Sequence, residues 1–413
     1  MSAHQNISVG IDIGSTKVIT CVGKVDNNTI DILGFGKSAN QGIRKGVIID
    51  LEETVSAISA SLEEAERTAG ISIQSAVIGI SGPYIESGRD KGVIAVSRTD
   101  GEISDQDVAR VLEAVKVISN KPNRQLIHAI PLNFVIDGSE VIKDPVGMSG
   151  IRLEVNSNMI SASVNAVRSV QRVVEQSGLN MNDLVFSPLA TAKVLLSKRQ
   201  TDIGAILIDI GASTTSYAVY EEGELITCGV IPIGSMHITN DIAIGLRTNI
   251  DIADILKTRY GFAQPDKIDE KETIDLNKID KTEEGTVNLK YVAEIIEARL
   301  NEIFLMIRDN LAAIEKDGTL PSGIILTGGG SKIHGIVELA KETMRLPAQL
   351  GRPIFEGSGL IDKLNDPVYA TSIGLMLWGK DQTNEGGGSF NFDVQGLNSV
   401  VTKVRSIFKN FLP

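Results

Sequence analysis

The feature that most constrains this chain is a pattern that occurs twice. Near the start, Ile7-Ser8-Val9-Gly10-Ile11 is an apolar run that reads as a strand. It delivers Asp12 to a turn at Gly14, followed by Ser15, Thr16 and Lys17, and a β-rich run from Val18 to Val22 leads away. In the second half, Ile208-Asp209-Ile210-Gly211-Ala212-Ser213-Thr214-Thr215 repeats the arrangement before Ser216 to Tyr220. One such hairpin would be an ordinary turn. Two of them, each led by an acid after an apolar strand, imply two similar half-chains. Glycine lets the backbone bend so that successive N–H groups converge on an anion. A carboxylate does not itself attract a phosphate. Beside phosphate-binding donors, Asp12 and Asp209 are most useful for holding a hydrated Mg²⁺. The pattern therefore predicts a nucleotide held in a cleft between two lobes.

A third stretch agrees. Gly323 to Thr327 reads as a buried strand, and Gly328-Gly329-Gly330-Ser331-Lys332 follows as a glycine-rich bend before an amphipathic helix. Backbone that closely approaches a base or ribose requires glycine, and a helix N-terminus favours negative charge. A triple glycine can also be a linker, but a linker would not be bracketed by a strand and a helix.

Composition narrows the classes. At 413 residues the chain suits about two to four domains. An apolar content of 42% with 22% charged residues is globular. A net charge of −12 argues against a nucleic-acid-binding body, which needs a basic face. Cys21 and Cys228 both fall in β-like runs and read as buried, reduced thiols of a reducing compartment. The first residues lack a secretory pattern, and no apolar run reaches the roughly 18 residues of a membrane span. The expected location of the body is the cytoplasm.

Between the motifs, residues 1–83 alternate strand and helix. Asp50 with Glu53 starts a helix that Gly70 stops. From Pro83 the character changes: Gly92–Ser97 strand, a Ser104-capped helix and a long run from Leu126 to Asp137 predict an inserted β-α-β-β subdomain. Helices are expected over 165–176, 189–196, 238–260 with a break near Asn249, 291–314 and 367–378, and residues 264–290 read as a solvated loop or exposed hairpin.

The tail is distinctive. Residues 381–398 contain Gly386-Gly387-Gly388-Ser389 and read as a flexible linker with a mean reach of about 23 Å. Beyond it, Val400, Val401, Val404, Ile407, Phe408, Phe411 and Leu412 form one helical stripe, with Lys403, Arg405 and Lys409 beside it. An acidic body ending in a tethered, basic amphipathic helix points to an anionic membrane surface. The same helix could instead dock on its own body; the linker and the reversal of charge sign favour the membrane.

The two hairpins and the triple glycine resemble the phosphate and adenosine motifs of the superfamily containing actin, heat-shock chaperones and sugar kinases. Adding the insertion and the tail, the chain is identified as resembling the FtsA family of bacterial cell-division proteins, essentially end to end. Further matching stretches are His128 to Leu132, Gly150 to Val155 and Gly234 to Gly245. The resemblance implies an α/β, actin-like, two-lobed ATPase fold in which a 1C subdomain replaces 1B, with a C-terminal amphipathic helix. It places subdomain 1A at 1–83, 164–203 and 353–380, 1C at 84–163, 2A at 204–240 and 318–352, and 2B at 241–317. The linker is 381–398 and the membrane helix 399–413.

The resemblance also assigns roles. Asp12 and Asp209 would serve catalysis and face the hydrated Mg²⁺. Gly14, Ser15, Thr16 and Lys17 would meet ATP phosphates, with Gly211, Ser213, Thr214 and Thr215 from the other lobe. Gly234 stands where the family often has two glycines, and Gly328, Gly329 and Gly330 would lie along adenosine. Asp254 and Lys257 occupy a Glu-x-x-Lys ribose motif whose acid is here one methylene shorter. Ser187 stands near where active relatives place a Glu or Gln that orients water, which implies tight ATP binding with at most slow turnover. Arg299 and Glu302 match the family's pattern in 2B for the FtsZ C-terminal peptide; an i, i+3 surface ion pair is the other reading. The implied function is a filament-forming protein that tethers FtsZ to the cytoplasmic side of the membrane at the division site and meets other division proteins. A small-molecule kinase and a pilus-assembly scaffold are the alternatives, and the basic tail favours the division protein.

Overall fold

Two apolar sheets with matching strand order make the body. The computed structural model describes residues 7–26, 29–119, 121–138, 140–281, 285–354, 357–359 and 365–383. In the first lobe, β1 (Ile7–Ile13), β2 (Lys17–Asp26) and β3 (Thr29–Ala39) form an antiparallel meander. A small arm of β4 (Ile43–Arg44) and β5 (Val47–Ile48) leads to α1 (Leu51–Ala69) and then β6 (Ser75–Ile80), which runs parallel to β1. The ends of α1 follow from its caps. Asp50 accepts the Glu53 N–H at 3.1 Å, and Gly70 takes the left-handed turn with φ 69° that closes the last carbonyl.

An insertion then interrupts the lobe: β7 (Ile85–Ala95), α2 (Asp105–Ile118), β8 (Arg124–Ile136), β9 (Glu140–Ile142) and β10 (Arg152–Ser163). The strands pair in the order β7-β10-β8-β9, with α2 packed on the sheet around Val111, Val115, Phe134 and Leu153. The expected β-α-β-β unit thus gains one strand, because the short β9 turns back on β8 as a hairpin arm. The lobe resumes with α3 (Val164–Gln176), β11 (Asn180–Phe186), α4 (Ser187–Leu195) and α5 (Lys198–Ile203).

The second lobe opens with the meander β12 (Ala205–Ile210), β13 (Thr215–Glu221) and β14 (Glu224–Ile231). Helices α6 (Ser235–Leu246) and α7 (Ile250–Ile255) follow, then a π-helical turn at Leu256–Tyr260. The break falls where expected, with the Asn249 side chain capping α7. The 264–290 stretch is the hairpin reading: β15 (Thr273–Asp275) pairs with β16 (Thr286–Asn288), burying Ile274 and Val287. Then come α8 (Leu289–Ala312), β17 (Gly323–Thr327), α9 (Ile336–Met344) and β18 (Ala348–Leu350). The chain returns to the first lobe through β19 (Gly357–Gly359) and α10 (Ala370–Thr383).

The duplication is visible in the pairing. The first sheet contains β3-β2-β1-β6-β11 and the second is β14-β13-β12-β17-β18, with the same parallel and antiparallel neighbours in each. Central strands covered on both faces read as unbroken apolar runs, and Val77-Ile78 and Ile206-Leu207-Ile208 are all buried. Helix α10 lies directly on β1. A Cβ on Gly10 would fall 2.3 Å from the Met376 nitrogen, so only glycine permits that approach. The insertion also reaches the other lobe. Ser87 and Arg89 donate to the β14 carbonyls of Cys228 and Ile226, and Asn158 to that of Leu225, so side chains cover an edge strand.

Helix α10 continues to Thr383, past the expected start of the linker at 381. The remainder of that linker and the expected amphipathic helix 399–413 lie outside the described residues. Among the described residues, no helix is long and apolar enough to cross a membrane.

Candidate functional site

The repeated hairpins face one cleft. In the first, the Gly14 N–H donates to the Lys17 carbonyl at 2.9 Å; in the second, the Gly211 N–H donates to the Thr214 carbonyl at 2.9 Å. A Cβ on either glycine would come within 2.9 Å of the same carbonyl, so both turns demand glycine for one reason. The cleft holds about 160 Å³ and is lined by Asp12, Gly14 to Lys17, Asp209, Gly211, Ser213, Thr214, Gly328 and Gly329. Two half-chains thus contribute equivalent atoms to one space.

Its electrostatics follow from burial. Desolvation raises Asp12 to about 7, helped by the neighbouring Asp209 charge and opposed by Lys17. Asp209 rises to about 6 through burial, against the Thr371 hydrogen bond and Lys17. Burial lowers Lys17, as does Lys37, while Asp12 opposes the shift. Two crowded carboxylates with one compromised ammonium make a site short of positive charge. A divalent cation would restore both carboxylates to the ionised form. The donors fit a hydrated Mg²⁺: both carboxylates line the cleft with hard oxygens, and Mg²⁺ keeps several of its waters when held by one or two carboxylates.

Gly328 seals the back of the site. With φ 81° it is left-handed, and a Cβ there would lie 2.2 Å from Asp209 Oδ1. Gly330 is buried against Ile210 behind the lining, and Gly329 is exposed, with Lys17 Nζ reaching to 3.6 Å of where its Cβ would sit. Gly234 caps α6, and a Cβ there would fall 2.7 Å from the backbone of the second hairpin, which excludes a side chain. Thr215 is buried and turned away, its hydroxyl donating to the Ile233 carbonyl at 2.8 Å.

Asp254 and Lys257 pair with each other at 2.6 Å, and Lys257 is buried against Thr239, outside the residues that line the cleft. Arg299 holds Asp241 through two bonds of 2.6 and 3.0 Å and also reaches Glu302. The expected i, i+3 pair is present, but Asp241 on α6 is the stronger partner, a bidentate one. Ser187 stands at the start of α4 and lines the cleft. The membrane residues Val400, Val401, Lys403, Val404, Arg405, Ile407, Phe408, Lys409, Phe411 and Leu412 lie outside the described residues.

The residue that sequence reasoning missed is Thr371. It comes from α10 in the first lobe, donates to Asp209 Oδ2 of the second at 3.3 Å, and bonds Thr191 at 3.0 Å. A threonine in an apolar helix carries no local signal of such a role; only the approach of α10 to β1 brings it there.

Comparison with known proteins agrees with this arrangement. The family model "Cell division protein FtsA" matches residues 206–374, and the model of the "SHS2 domain inserted in FTSA" matches 82–161, the insertion described above. The cell division protein FtsA of Pseudomonas aeruginosa is 35% identical over 92% of this chain and 90% of its own length. That of Bacillus subtilis is 35% identical over 90% of this chain and 83% of its own, and that of Escherichia coli 29% identical over 92% of both. Among solved structures, the PilM-PilN type IV pilus biogenesis complex aligns with a TM-score of 0.66 at 19% identity, covering 90% of this chain and 98% of that one. MreB5 of Spiroplasma citri aligns at 0.55 with 12% identity, covering 92% and 98%. The fold is therefore the actin-like ATPase fold with an SHS2 insertion in its first lobe. On sequence identity across nearly the whole length, the chain belongs to the FtsA family of cell division proteins.

Proposed function

We propose that this chain binds ATP and Mg²⁺ in its interlobe cleft, polymerises on the cytoplasmic face of the membrane and tethers FtsZ filaments there during division. The observation that carries the nucleotide reading is the pair of matching hairpins, Gly14 to Lys17 and Gly211 to Thr214, facing one space. Gly14, Ser15, Thr16 and Lys17 would hold the phosphates from one side and Gly211, Ser213 and Thr214 from the other, their N–H groups and hydroxyls supplying donors. Asp12 and Asp209 would hold Mg²⁺ through its water shell, and the ion would neutralise phosphate charge. Thr371 keeps Asp209 oriented. Gly328, Gly329 and Gly330 would border adenosine, with Thr215 and Gly234 supporting the second hairpin from behind and the Asp254–Lys257 pair standing near the ribose. In a related fold, MreB5 of Spiroplasma citri was solved with ADP and with AMPPNP.

Chemistry in this cleft would be slow. Ser187, the residue at the head of α4, offers a neutral hydroxyl where a water-activating base would need a carboxylate or amide. ATP then acts as a ligand whose differential affinity favours the closed, polymer-competent lobes. One short interfacial helix binds membrane only marginally. Three basic residues, Lys403, Arg405 and Lys409, would add about 1 kcal/mol each at an anionic leaflet. Polymerisation would multiply such weak anchors by effective concentration. The 2B region around Arg299 and Glu302 would receive the FtsZ C-terminal peptide, and the insertion would meet other division proteins.

Pelleting with anionic liposomes, with and without ATP and FtsZ, tests the whole reading. The full chain should sediment, more so with ATP, and carry FtsZ with it. A chain lacking 399–413 that still sediments with liposomes would refute the anchor.

A further inference from the structure

We propose that residues 40–50 form a strut joining the two hairpins, with Asn40 as a positioning residue for the phosphate end of a bound nucleotide; this rests on the nucleotide reading above. Asn40 is only 3% exposed, and it does not line the cleft. It nevertheless holds the first hairpin through two bonds and the following arm through a third. Its side-chain amide donates to the Gly14 carbonyl at 2.8 Å, and its backbone N–H donates to the Thr16 carbonyl at 3.0 Å. Its Oδ1 accepts the Gly42 N–H at 3.0 Å, which fastens the hairpin to the arm that follows.

In a trans peptide the carbonyl and the next N–H point in opposite directions. Anchoring the Gly14 carbonyl from behind therefore aims the Ser15 N–H towards the cleft that Ser15 lines. Asn40 thereby turns a flexible glycine turn into an oriented donor. The arm is closed at its base, where the Gly42 carbonyl accepts the N–H groups of Ile49 and Asp50 at 2.8 and 3.1 Å.

At the tip, Lys45 and Gly46 are both left-handed, with φ 50° and 75°. A Cβ on Gly46 would sit 3.1 Å from Thr214 Cγ2 and 2.9 Å from Pro83 Cδ, so the tip bears on the second hairpin. A continuous path thus runs from Gly14 through Asn40, Gly42 and Gly46 to Thr214. The two half-sites are held in register by this packed arm rather than by the ligand alone.

The strut acts on phosphate and not on adenosine, which gives a test that a general loss of stability would not pass. In the full chain, Asn40→Asp keeps the acceptor for Gly42 but sets a carboxylate against the Gly14 carbonyl. Gly46→Ala disturbs the opposite end of the path. Affinities for MgATP and for AMP, the latter titrated to millimolar concentration, are measured by competition against a fluorescent ATP analogue. Each variant should lose about tenfold in ATP affinity, equal to about 1.4 kcal/mol, with AMP affinity within about twofold of the wild type. Unchanged ATP affinity in either folded variant, or equal losses for ATP and AMP, would overturn the strut. Wild-type protein that binds no ATP would instead overturn the nucleotide reading itself.

Discussion

Acidification should weaken this fold through one histidine, and the size of the effect can be worked out. His128 sits on β8, 7% exposed, where its Nε2 accepts the Phe186 N–H at 3.0 Å and its ring lies 5.7 Å from that of Trp378. This joint ties the insertion to the first lobe, one residue before Ser187. Burial pushes the imidazole from its ordinary 6.5 down to about 3. The folded protein therefore keeps His128 neutral while the unfolded chain takes up a proton below 6.5. The contribution to stability is fully present above pH 6.5 and is lost progressively as pH falls towards 3. Each unit is worth about 1.4 kcal/mol, so moving from pH 7 to pH 4 should cost about 3 kcal/mol from this residue. Carboxylates titrate in the same range, so the comparison must be with His128→Gln, whose amide oxygen can still accept the Phe186 N–H. Urea unfolding at pH 7, 5 and 4 should show the wild type losing about 3 kcal/mol more than the variant. Parallel profiles for the two proteins would refute the reasoning.

Other perturbations bear on the cleft and its surroundings. Gly328→Ala forces an L-residue to φ 81° and drives a Cβ to 2.2 Å from Asp209 Oδ1; it should destabilise the protein by at least about 1–2 kcal/mol and abolish the thermal shift on adding MgATP. Arg299→Glu leaves Asp241 and Glu302 facing a third acid; it should weaken capture of the FtsZ C-terminal peptide in a pull-down while leaving ATP affinity unchanged. On the proposed reading that Ser187 takes the place of a base, steady-state phosphate release should stay far below about one per second, against the roughly 1–100 per second of kinases; tens per second would contradict the reading of that position.

What the sequence disclosed depended on how local the determinant was. The hairpins were legible because acid, glycine and hydroxyl residues sit within one turn and because the second copy removed the ambiguity of the first. The caps of α1 and α2 were legible for the same reason: Asp50, Gly70 and Ser104 act within four residues of their partners. Thr371 was not, since its bond to Asp209 spans 162 residues and its neighbours are those of any buried helix. Asn40 was invisible likewise, for a lone asparagine after a strand is an ordinary turn residue until Gly14 is found beneath it. The contacts of Ser87, Arg89 and Asn158 with β14 run to backbone carbonyls, which leave no trace in residue type. At Arg299 the legible partner is the weaker one: Glu302 lies one helical turn away, whereas Asp241, 58 residues distant, supplies the bidentate bond.

Everything about the proposed role starts from triphosphate held between the two turns. The most direct measurement is a crystal or cryo-electron structure of the full chain with Mg²⁺ and a slowly hydrolysed ATP analogue. Phosphate density should lie against Gly14 to Lys17 on one side and Gly211 to Thr214 on the other, with the ion facing Asp12 and Asp209. An empty cleft at saturating analogue, or nucleotide bound elsewhere on the protein, would contradict the account.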